Sequence, residues 1–496
     1  MRARISRHLG SVLTATPRAA EPPFDDDLAL AAVLPARGPF LGPGPADAFG
    51  VEVPPEFNGR DYVVFLLRVA AEIEHSLMAQ YLFAAYSLGG PDVPAAQAEE
   101  VRAWQETILG VAKEEMGHLI TVQNLLTVLG APRQFDRDDY PHLSPLYPFG
   151  FRLEPLSLES LAAYVCAESP LEWDDAEATR IKEKARADTG DVVNRVGELF
   201  DQLIDLMSRP NVVPDSAFQA RTLPFQATWD EWGRGYRQGQ RGREAMSSLD
   251  LPAPELVILP AGSRAQALAA LRAVAEQGEG FETPPDENDS HFRRFLTVYR
   301  ALEALGDGIG DVVRPVARNP TTGETDGGDA EDPDTPTTIT HPEARLWGQL
   351  FNVRYRKLLT NLTHAFELAD DPSDVSTVTP RGALIHRTFS EMYNLRAIAG
   401  LLVRLPVSAD DPDGPRAGPT FQMPYTLALP SVEADRWRLH RDLLDASGRL
   451  IAQLRRTSPP GDGPDYLAAL KQWDDIERGH VEQLIAVPAP SPVPTP

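Results

Sequence analysis

The chain has 496 residues, 42% of them hydrophobic and 24% charged, which is enough apolar content for sizeable cores and typical of a globular protein. A net charge of −25 argues against nucleic acid or an anionic membrane as the main partner, because both demand basic surface. The lone cysteine, Cys166, rules out an intrachain disulfide and any multi-cysteine zinc or iron–sulfur site, and fits a reducing cytoplasm. No apolar run approaches the roughly 18–20 residues that span a membrane.

Residues 1 to about 55 are rich in Pro, Gly and Ala, and their Arg-rich, acid-poor start reads as a disordered basic tail rather than a transit peptide. A long helix is predicted from Tyr62 to Leu88, with the inward stripe Leu67, Ala70, Glu74, Leu77/Met78 and Tyr81. A second runs from Glu99 to Leu129, with the stripe Ile108, Val111, Glu115, His118/Leu119 and Val122. Charged groups on an apolar stripe are costly unless something pairs with them. Glutamate and histidine three residues apart project from one helix face. One Glu from one helix, with Glu-x-x-His from the next, is half of the carboxylate-bridged dinuclear metal site of ferritin-like bundles. The bland alternative is a buried ion-pair network with an arginine such as Arg68.

Further helices are predicted near Leu158–Glu168, Asp188–Met207, Ser263–Gln277 and Ser290–Leu305. Residues 209–260 lack a sustained period and read as a long ordered insertion, with Trp229, Trp232 and Tyr236 as its hydrophobic cover. Residues 311–342, acidic and rich in Pro, Gly and Thr, read as a linker or long surface loop. Four helical patterns follow, at about 343–368, 380–404, 434–456 and 464–484, and a Pro-rich, disordered tail closes the chain from 485. The expected class is mainly α: a ferritin-like four-helix bundle over 56–310 and a second helical domain over 343–484, serving as support or partner surface.

A dinuclear site needs about four carboxylates and two histidines. Beyond Glu74, Glu115 and His118, the remaining ligands must come from downstream helices. Glu168 lies on the stripe Leu158, Leu161, Val165, whereas Glu198 falls away from the centre of its own stripe. No second Glu-x-x-His is intact; Glu279 is followed 12 residues later by His291, at a helix end and a helix start. Both could instead be cap residues. His75 and Glu72 flank the first stripe. Tyr81 reads either as core packing or as a redox-active, hydrogen-bonding neighbour, and is the candidate catalytic residue. His341, His364, His386, His440 and His480 show no metal spacing with one another.

The blocks Glu72-Ile-Glu-His-Ser-Leu-Met-Ala-Gln-Tyr81, Lys113-Glu-Glu-Met-Gly-His-Leu119, Val196-Gly-Glu-Leu-Phe200, Glu276-Gln-Gly-Glu-Gly280 and Ser290-His-Phe-Arg-Arg-Phe295 resemble, in order, the ferritin-like domain of the iminophenyl-pyruvate dimer synthase family. The resemblance covers about residues 58–305 and continues weakly beyond. It implies Glu74, Glu115, His118, Glu198, Glu279 and His291 as metal ligands, with Glu198 preferred to Glu168 on that ground alone. It also implies oxidative coupling of aryl-pyruvate imines in violacein- and chromopyrrolate-type pathways. The expected cofactor is a dinuclear non-haem iron centre, with manganese an alternative; haem stays open, since the sequence offers no discriminating axial-ligand motif. The expected partners are a small aromatic or amino-acid-derived substrate, O2 or peroxide, and a pathway enzyme or a second copy of the chain. A metal-binding scaffold without turnover is the alternative.

Overall fold

The computed structural model describes residues 51–486 apart from 145, 191, 233–235, 238–239, 242–255, 280–288, 324–331, 333, 371–378, 424–426 and 458–461. The basic amino-terminal tail to residue 50 and the proline-rich end from 487 lie outside the described residues, as do side-chain readings at Tyr236. The rest is mainly α, as the periodicity predicts.

Helix α1 (Gly59–Ser87) starts where the Asn58 side chain accepts the Asp61 N–H, and it breaks at Gly89 and Gly90, both at positive φ. Helix α2 (Ala98–Val128) ends in a Schellman arrangement: Gly130 sits at φ 67°, its N–H bonds Thr127 O, and the Ala131 N–H bonds Leu126 O. Helix α3 (Leu158–Ala167) opens on a Ser157–Ser160 capping box and leaves Glu168 as its C-cap. Asp188–Met207, predicted as one helix, is divided. Helix α4 (Ala176–Thr189) terminates at Gly190, which adopts φ 77°, and α5 (Val196–Ser208) begins six residues later. Helix α6 (Arg264–Glu279) and α7 (His291–Ala304, capped by Ser290) follow.

Helices α1, α2, α3 and α7 form the first bundle: α1 packs along α2, α3 along α7, and α7 against α2, with α5 and α6 paired at its side. The described parts of the insertion cover α2. Asn124 bridges the Ala227 and Leu259 backbones, Thr121 donates to Val257 O, and Trp232 is buried between Phe366 and Phe389. Trp229 is exposed.

Helices α8 (Pro342–Glu367), α9 (Pro380–Leu402), α10 (Glu433–Thr457) and α11 (Asp462–Ala486) make a second bundle. Between the bundles the acidic segment 311–342 is strapped down in its described parts. Arg314 N–H bonds Ser87 O, Ala317 N–H bonds Arg416 O, and Pro320–Thr321 pairs in parallel with Thr337–Thr338. Apolar side chains of both bundles join in one continuous core running from Tyr62 to Val481. Arg137 and Tyr355 lie at the seam, where the Tyr355 hydroxyl meets His75 Nε2 and accepts from Arg137 Nη2 at 3.1 Å.

Candidate metal centre

Five side chains from α1, α2, α7 and the end of α3 converge in the first bundle. Glu115 stands at the centre: one carboxylate oxygen lies 3.1 Å from His118 Nδ1 and the other 2.8 Å from His291 Nδ1. Glu74 flanks the first histidine at 3.6 Å, and Glu168 flanks the second at 3.6 Å. The two imidazoles are stacked with centroids 5.2 Å apart. All five residues are at most 3% exposed. Glu115, His118 and His291 can direct one ligand atom each to a common point.

The outer nitrogen of each imidazole is occupied. His118 Nε2 donates to Gln277 Oε1 at 2.9 Å, and His291 Nε2 donates to Glu114 Oε2 at 2.9 Å. Glu114 is itself held by the Arg294 guanidinium. These partners fix both rings so that Nδ1 faces Glu115, as outer carboxylates and amides do for metal-bound histidine. On the inward side, Glu74 Oε2, Glu115 Oε1 and His291 Nδ1 are buried without a hydrogen bond of usable geometry. Buried polar atoms left in this state are rare and call for a missing partner. A divalent cation satisfies all three, so the donor set of three carboxylates and two imidazoles fits a carboxylate-rich iron or manganese site.

Protons carry the positive charge here without a metal. Burial, and then the neighbouring Glu115, push the Glu74 carboxyl well above its usual value. Burial alone would raise Glu115, but His291 and His118 hold it well below. His118 rises to about 10 despite its burial, because Glu115 and Glu74 favour the imidazolium. Metal uptake therefore displaces protons.

The remaining expected ligands gather beside this cluster. Glu279, the last residue of α6, is buried and contacts Arg195 at 3.2 Å; Glu198, in the first turn of α5, lies 3.8 Å from the same guanidinium. Burial pushes Glu279 up to about 8 and Glu198 up to about 7. Among the described residues neither forms an ion pair with a histidine, whereas Glu168 does. Tyr81 donates to Glu168 Oε1 at 2.7 Å and packs edge-on against Tyr164 and Phe295. Arg68, the sequence's candidate for a neutralising arginine, instead bonds Gln134 at 2.7 Å. Glu72 also meets Gln134, while His75 turns to Tyr355.

Sequence reasoning missed Glu114, Gln277 and Arg195. Adjacency to the Glu-x-x-His and Gln-Gly-Glu blocks was the only signal for the first two. It also missed that His364 and His440 meet, with Nδ1 and Nε2 2.9 Å apart and Glu433 3.0 Å beyond, because 76 residues separate them.

Residues 67–300 match the family model described as Ferritin-like. The chain is 27% identical over 397 residues to dichlorochromopyrrolate synthase of Lentzea aerocolonigenes, covering 73% of this chain and 36% of that protein. The chain thus spans about a third of that relative's length. A crystal structure of a ferritin-like protein from Caulobacter vibrioides is also similar, with a TM-score of 0.36 and 16% identity over 72% of this chain and 98% of that one. No described helix is long and apolar enough to cross a membrane. Residues 67–300 of this chain therefore form a ferritin-like domain.

Proposed function

We propose that the chain is an oxidase or oxygenase with a dinuclear metal centre, acting on a small aromatic or amino-acid-derived molecule. The observation that carries the reading is Glu115, set between two inward-facing imidazole nitrogens whose outer nitrogens are already engaged. Glu74, Glu115 and His118 would hold one ion, and Glu115, His291 and Glu168 a second, with Glu115 shared. Iron is the favoured metal and manganese the alternative. When bound, an iron pair supplies reduction of dioxygen or peroxide coupled to oxidation of an organic substrate.

The protein's own groups prepare that chemistry. Gln277 and Glu114 fix the imidazole orientation. Tyr81 donates its hydroxyl proton to Glu168 Oε1, while the other oxygen of that carboxylate lies 3.6 Å from His291 Nδ1. The aromatic rings of Tyr81, Tyr164 and Phe295 exclude water from that flank. The name of the homologous synthase refers to chromopyrrolate and supports a substrate of that kind, and the family resemblance of the sequence blocks supports an oxidative coupling of imines.

The reading is tested by loading the protein anaerobically with Fe(II), adding an imine made from an aromatic 2-oxo acid or amino acid, and recording oxygen or peroxide consumption. Substrate-dependent consumption, lost in Glu115→Ala, is expected. Consumption no faster than that of free iron would overturn an oxidative function.

A further inference from the structure

We infer that Arg195 is a resident cation that balances Glu279 and Glu198 before metal is bound, and that it sets the affinity of the second metal position without touching the first. The inference rests on the metal-site reading above.

Glu168, Glu198 and Asp201 all act on Glu279, and among the described residues Arg195 is the guanidinium that faces both Glu198 and Glu279. Glu198, Asp201 and Glu279 all lie under the influence of the one Arg195 guanidinium, which leaves positive charge short in a setting with little water. Glu168 joins this cluster to the histidines: its Oε2 is 3.6 Å from His291 Nδ1, and a Cβ on Gly278 would lie 3.2 Å from that same oxygen. Glu279 follows Gly278 directly. Its carboxylate rests against Gly197, where any Cβ would overlap it. The chain has thus kept room for Glu279 beside the Glu168 flank.

Arg195 is also oddly placed for a structural residue. It is the N-cap of α5, makes no side-chain cap hydrogen bond, and puts a positive charge at the positive end of a helix dipole. Its other contacts are weak: Nη1 lies 3.5 Å from Ser169 O, and Nε is buried with no hydrogen bond. A cation held there against the dipole is held by the carboxylates. A divalent ion on the His291–Glu168 side competes for the same charge, and Glu279 is the carboxylate that Arg195 would release to it as the sixth ligand.

Full-length wild type, Arg195→Gln and Glu279→Gln are titrated with Mn(II) by calorimetry, with helix content checked by circular dichroism. Removing the competing charge should tighten the second binding step by about tenfold or more and leave the first unchanged. Glu279→Gln should lose the second step alone. A second step in Arg195→Gln that is no tighter than wild type overturns the inference while leaving the metal-site reading intact. Wild type that binds no metal at all overturns both. If Arg195→Gln does not fold, Glu279→Gln decides: an intact second step there overturns the role given to Arg195.

Discussion

Burial of Glu74, Glu115, His118, Glu168 and His291 concentrates five ionisable groups where each alone would be strongly destabilising. What makes the arrangement tolerable is the ring of groups behind it, and those give the sharpest residue-scale predictions. Glu114→Ala frees the outer nitrogen of His291 and leaves Arg294 with only the more distant Asp289 carboxylate. Metal affinity should fall by roughly 10- to 100-fold while helix content is kept, as read by a metal titration. Unchanged affinity would show that Glu114 does not orient His291 for metal. Gly197→Ala should drive the Glu279 carboxylate from its place and weaken only the second binding step, with a lower melting temperature alongside. Glu74, Glu115 and His118 were legible because helical periodicity puts them on apolar stripes, and Glu168 because it continues Leu158, Leu161 and Val165. Glu114 and Arg195 were not, since a residue beside a ligand or a cap has no periodic signature. Glu198 rests on resemblance alone: the matched block points to a ligand, and its carboxylate lies 3.8 Å from the Arg195 guanidinium.

At the scale of elements, strongly periodic helices were predicted to within a few residues, and the weakly apolar ones were lost. Helix α4 buries only Ala178, Ile181 and Ala185, too little to register as a stripe, and Gly190 then breaks what reads as one helix. The insertion is tied to the second bundle by a feature no pattern reveals: Arg381 on α9 forms a two-pronged pair with buried Glu231 and also caps Ala365, Leu368 and Gln226 carbonyls. Arg381→Met removes the buried guanidinium that pairs with Glu231 and bonds three carbonyls, so a loss of roughly 3–5 kcal/mol in denaturant-unfolding stability is expected. A loss under about 1 kcal/mol would mean that the segment around Glu231 opens to water at little cost.

Across the whole molecule, composition suggested two domains on an acidic linker, whereas the described parts of that segment are hydrogen-bonded to both bundles and the apolar core runs through them. The seam is polar at its centre, with Tyr355 of α8 reaching His75, next to Glu74, and Arg137 stacked over Phe151 and Tyr355. The second bundle carries its own buried charges: Arg354 and Lys357 face Glu391, Asp474 and Glu477, so that side-chain cations neutralise carboxylates in its interior. Because the bundles share a core, calorimetry should record one cooperative unfolding transition. Two separated transitions would indicate independent domains.

The central claim is that Glu115 joins two histidines into a metal centre. Its most direct test is the transition-metal content per chain of wild type and Glu115→Ala, both reconstituted anaerobically with iron or manganese and compared by elemental analysis with an optical spectrum. Wild type should hold up to two ions per chain and show no Soret band, and the folded variant should hold close to none. Metal-free wild type, or a variant that retains the full complement, would contradict it.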